Sequence, residues 1–235
     1  MRPSTISLAA TLLRDPASLL PAADDRESFA HITPRALGIG AVAAALVGAT
    51  VGSYYGGPQI VAAAVKLPLL LGATLIVALP AVKTLAETGG VDVPWRRLAL
   101  AGVLGVARTA LLGAAAGPLM WLFYSLGPSY RLSVLAFVAM LLVTGAPALM
   151  LVGKALPART EGRFAIGLAS AAVLGLVLAQ TGFVLRPFVH RTDREFALFR
   201  PMEGDFADAV GTTTKSVVTG DRGRYESSDL YRGGE

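Results

Sequence analysis

The chain contains no cysteine and no asparagine, only two histidines, and no acidic residue in any of its long apolar runs. Each absence removes a class of chemistry. Without cysteine there is no disulfide, thiol nucleophile or thiolate metal site. Without asparagine there is no Asn-linked glycan. Without a carboxylate or imidazole in the apolar runs, no general acid or base can work inside them. The sequence also lacks a phosphate-binding Gly-rich loop, a His-Glu-x-x-His pair and a nucleophile elbow. We therefore expect no enzyme, no catalytic residue, no cofactor and no metal. Charge is scarce as well, at 16% of 235 residues, against roughly 25% in ordinary soluble domains.

Apolar residues make up 54% of the chain, and they are gathered into blocks rather than spread. Five blocks approach or exceed the roughly 20 residues needed to cross some 30 Å of hydrocarbon: 36–54, 60–82, 98–126, 132–152 and 164–185. Near-continuous apolarity without alternation argues for helices, not barrel strands. The expected fold is an all-α polytopic membrane bundle. The net charge of +5 is no sign of nucleic-acid binding, because no basic stripe carries interleaved aromatics. Arg outnumbers Lys 17 to 4 amid abundant Ala and Gly, a residue bias we read as bacterial.

Residues 1–35 form a polar-to-amphipathic lead-in. Ile6, Ala9, Ala10 and Leu13 share a helical face, which reads as an interfacial helix in preference to a signal peptide. Gly48/Gly52 and Gly113/Gly117 have the spacing that lets membrane helices approach closely, within a chain or between chains. Pro68, Pro80, Pro118 and Pro147 fall in or near the spans and can kink them. Block 98–126 is too long for one upright crossing. We expect a break at Gly117-Pro118, with Leu119–Tyr124 along the interface and Trp121, Phe123, Tyr124 and Tyr130 forming an aromatic belt. Residues 190–235 form a polar tail, and from Gly211 onward its Gly, Ser, Thr and charge read as disorder.

Five spans place the N-terminus and the loops 82–97 and 153–163 on one side, with ten basic residues including Arg14, Arg35, Lys83, Arg96, Arg97 and Lys154, against Arg131 alone in the two short loops opposite. The excess of Lys and Arg predicts a cytoplasmic N-terminus and a tail on the opposite side. His31 and His190 then lie on opposite sides and share no metal.

The candidate polar site is basic: Lys66, Arg108, Gln180 and Arg186. Counted from Leu98, Arg108 falls near mid-bilayer, where an isolated charge costs from about 2.5 kcal/mol upward. Lys66 reads as a snorkelling anchor and Arg186 as an interfacial one. Several partners for Arg108 stay open. They are backbone carbonyls near Gly113 and Pro118 with Thr109 and Gln180 assisting, a carboxylate on a partner chain, an anionic lipid or substrate headgroup, or the protein's own tail. In the last case Glu203 and Asp205, within a folded-back segment 196–206, would form a lid over the cations.

The stretches Tyr54-Tyr-Gly-Gly57, Ala64-Val-Lys-Leu-Pro-Leu-Leu-Leu71, Leu185-Arg-Pro-Phe-Val189 and Phe196-Ala-Leu-Phe-Arg-Pro-Met-Glu-Gly-Asp-Phe206 resemble an uncharacterised family of bacterial inner-membrane proteins. The five-span layout is also similar to that of Yip-type membrane proteins. The resemblance implies the fold and brings no activity with it. The expectation is a non-enzymatic subunit or organiser of a membrane complex in the bacterial inner membrane, in contact with membrane lipids and with another membrane protein or a second copy. The alternative is a transporter or binding protein for an anionic small molecule or lipid.

Overall fold

Ser4 opens the first helix by accepting a hydrogen bond from the Ser7 amide at 3.1 Å, a side-chain cap that satisfies one of the orphan N–H groups. The computed structural model describes residues 4–155 and 163–184, and within them every regular element is helical. Helix α1 spans Thr5–Arg14 and a 3-10 segment follows over Pro16–Ala23. The long helices are α2 (Arg26–Gly52), α3 (Pro58–Thr88), α4 (Trp95–Ser125), α5 (Tyr130–Ala155) and α6 (Arg163–Val184). The chain divides into a unit through Arg200 and a second from Pro201. The second unit lies outside the described residues.

Local chemistry sets the helix ends. The Asp25 carboxylate caps α2, accepting from the Ser28 and Glu27 amides at 2.8 and 3.4 Å. The α2–α3 turn runs through Gly56 and Gly57, with φ of +82° and +52°, a region that costs glycine nothing. Pro58 follows at the first turn of α3, where its missing N–H is harmless. At the other end of α3, Gly90 (φ +76°) closes the helix while the Val91 amide donates back to Ala86 O at 2.9 Å.

Helix α2 packs on α3 and α4, α5 packs on α4, and α6 bridges α3 and α5. The α2–α4 pair runs parallel, as Gly40 meets Ala107, Val47 meets Gly113 and Thr50 meets Gly117. Helix α3 returns antiparallel, with the backbone of Ala63 directly against Gly48 and that of Gln59 against Gly52. Both small-residue pairs therefore act inside the chain, bringing α2 onto α3 and α4 onto α2. A surface for a partner must use other faces.

Those other faces are apolar on every long helix. Val42, Leu46, Val61, Leu69, Ile76, Leu142, Val143, Leu168 and Leu176 are all more than half exposed. Water would penalise such a surface, whereas hydrocarbon does not. Five helices have the length and apolarity to span a membrane. The protein is an all-α membrane bundle.

Several expectations are corrected. Helix α4 runs unbroken through Gly117-Pro118, since a membrane helix keeps its course where neighbours support it, and α2 packs against Gly117 through Thr50. Tyr124 belongs to the core, not to a belt. It is 7% exposed and stacks edge-on against Tyr54 with ring centroids 5.5 Å apart. Trp121 does face outward. Helix α1 turns Leu8 and Leu12 into the bundle, with Ala9 and Thr11 at the margin, and leaves Ile6, Ala10 and Leu13 of the expected interfacial face pointing away from it.

The helices also begin and end beyond the expected spans. Helices α3 and α4 have 31 residues each, about 46 Å at 1.5 Å per residue, against roughly 30 Å of hydrocarbon. The end where α2 and α4 begin is here called the basal end. There Leu100, Ala101 and Leu104 of α4 are fully buried among α1, the 3-10 segment, α2 and α5, and Leu98 is buried with Val82 and Ala86 of α3, Val91 and Val93 of the α3–α4 loop, Val152 of α5 and Ile166 of α6.

Candidate functional site

Arg108 lies on α4 at the level where Gly40 of α2 meets Ala107. Its side chain is half-buried, and its Nη2 donates to the carbonyl of Leu13 at 3.2 Å. Leu13 sits in the last turn of α1, where carbonyls lack helical partners and the helix dipole is negative. The counter-charge that the apolar runs lack is thus the C-terminal end of the chain's own first helix.

The carbonyls near Gly113 and Pro118 are not the partners of Arg108. Thr109 gives its hydroxyl to Gly105 O within α4 at 3.0 Å, and Gln180 lies exposed on α6. The Leu13 carbonyl was missed because a backbone acceptor has no signature in a sequence. The available signal was indirect, since Arg14 and Asp15-Pro16 mark where α1 ends.

Lys66 is 3% exposed, on the α3 face that carries Gln59, Ala63, Leu67 and Leu70. Eight residues from Pro58, it lies about 12 Å along the helix, inside the bundle instead of snorkelling to its surface. Gln59, one turn into α3, is fully buried. The structure therefore brings no Lys66–Arg108–Gln180 site together, since Arg108 turns to α1 and Gln180 turns outward. Arg186, Glu203 and Asp205, and with them the proposed lid, lie outside the described residues.

At the basal end Lys83 bridges Glu87 at 2.7 Å and Asp92 at 3.0 Å, holding the α3–α4 loop against α3. The i,i+4 spacing of Lys83 and Glu87 was legible in the sequence. Nearby, hydrogen bonds from the Ser28 hydroxyl and amide hold the Asp25 carboxyl below its ordinary value.

Space inside the bundle is limited. A groove between α2, α3 and α4, lined by Ala36, Gly40, Ala44, Leu71, Gly72 and Ala107, encloses about 60 Å³ and is almost wholly apolar. An open hollow of about 440 Å³ lies at the basal rim between Ala23, Asp24, Pro94, Trp95 and Arg96. Among the described residues no cluster of three or more His, Asp or Glu could hold a metal.

No family model, curated protein or solved structure matches the chain.

The arrangement is suited to joining helices. Arg108 holds the end of the N-terminal helix, and Gly48 and Gly52 bring α2 onto the backbone of α3.

Proposed function

We propose that this is a non-enzymatic subunit or organiser of a membrane complex, held in a bacterial inner membrane with its N-terminus in the cytoplasm. The observation that carries the reading is the role of Arg108. The residue best placed to hold an anionic cargo is engaged with the end of α1. The partner surface is then the set of large apolar side chains on α5 and α6, the helices with the least buried span windows.

Gentle extraction of the tagged protein into nanodiscs, followed by mass spectrometry, tests this. A membrane protein recovered in fixed stoichiometry is the expected result. A particle holding this chain alone, with a small anionic molecule retained at one copy per protein, would overturn the reading in favour of ligand handling.

A further inference from the structure

We propose that the open hollow at the basal rim holds a phosphoethanolamine headgroup, with the ammonium on Asp24 and the phosphate on Arg96. The hollow measures about 440 Å³ and is lined by Ala23, Asp24, Pro94, Trp95 and Arg96, a size within the roughly 300–1,000 Å³ of small-ligand sites. Two elements build it: the 3-10 segment ends at Asp24, and α4, on which that segment packs, begins at Trp95. A carboxylate, a guanidinium and an indole are thereby set around one space.

The two opposite charges at the hollow are not spent on each other. Among the described residues, neither the Asp24 nor the Arg96 side chain makes a hydrogen bond or ion pair. Asp25, next in the chain, is committed to capping α2. The first turn of α4 has no acidic residue and no side-chain cap, so its free amides add to Arg96 in favouring an anion. Trp95 is 53% exposed and supplies an aromatic surface that attracts an ammonium. One molecule carrying both charges answers all of these groups, and Arg108 takes no part.

The length of α4 points to a lipid as the source. Helix α4 is one of the five able to span a membrane. Its 31 residues reach about 46 Å, beyond the roughly 30 Å of hydrocarbon and close to the 40–45 Å that includes the headgroups. Its first turn therefore stands clear of the acyl chains, at the level where tryptophan is enriched. The amine must be primary, because a trimethylated ammonium has no N–H to donate to Asp24.

The test uses the full-length protein in detergent, with native mass spectrometry of added phosphatidylethanolamine, phosphatidylcholine and phosphatidylglycerol. The wild type should retain phosphatidylethanolamine in preference to the other two. Asp24→Asn should weaken that retention about tenfold, on the order of one charge-assisted hydrogen bond, and bring it level with phosphatidylcholine. Arg96→Gln should weaken both, since both carry the phosphate. Neither side chain has a partner in the fold, so both variants should melt like the wild type without lipid. Equal retention of the three lipids by the wild type, or an undiminished preference in Asp24→Asn, would overturn the proposal. Displacement of the lipid by an equal concentration of free phosphoethanolamine would overturn the lipid as the source.

Discussion

Arg108 has a backbone carbonyl for a partner, and that determines what its replacement should do. A hydrogen bond from a charged donor is worth about 1.5–3 kcal/mol when the site is partly desolvated. Arg108→Gln should lower stability by about that amount, read as a drop in melting temperature in detergent. Arg108→Lys should retain much of it, because attraction to a helix C-terminus needs charge more than a planar fork. Equal losses for the two variants would mean that the guanidinium shape matters instead. Leu12, fully buried in the N-terminal helix, is the apolar counterpart. Leu12→Ala should cost about 2–5 kcal/mol and release the same segment. The sequence announced Arg108 as unusual, because a lone cation in an apolar run stands out. It did not announce the answer, because a carbonyl acceptor comes from any residue.

At the scale of the element, glycine spacing was read correctly as a device for close approach, but its use within the chain came only with the helix register. A Cβ at Gly48 would collide with the carbonyl of Ala63, whereas one at Gly38 meets nothing within 4 Å. Gly48→Ala should therefore force α2 and α3 apart at a cost of about 1–3 kcal/mol, the usual range for overpacking, while Gly38→Ala leaves the melting temperature unchanged. The cap of α2 gives a pH dependence whose sign follows from its hydrogen bonds. The folded Asp25 carboxyl titrates below its unfolded value, so its contribution is fully present above the unfolded value near pH 4 and fades as pH falls through the folded one. Asp25→Ala should flatten that acid limb of the stability profile. An acid limb identical to that of the wild type would remove Asp25 from the account. Helix boundaries were less legible than helix existence: the polar turns Lys83–Thr88 of α3 and Trp95–Arg97 of α4 continue their helices past the apolar blocks.

For the molecule as a whole, composition was sufficient for the fold. Five apolar blocks leave few alternatives once every backbone group must be satisfied within hydrocarbon. What could not be read was how the N-terminal lead-in joins the bundle. Leu8 and Leu12 differ from Ile6 and Leu13 only in which side of α1 the neighbours occupy. The absence of cysteine makes the topology directly measurable. Single cysteines at Asp92 and Ser129 should react with a membrane-impermeant maleimide from opposite sides. Labelling of both from one side would contradict five crossings.

Helix α1 is built into the bundle with Arg108 as its cap, and hydrogen exchange of residues 5–14 in nanodiscs is the decisive measurement. Exchange there should be slow in the intact protein. With Arg108→Gln it should become fast in α1 alone, leaving α2 and α4 protected at their cores. Fast exchange of α1 in the intact protein, or protection indifferent to Arg108, would contradict it.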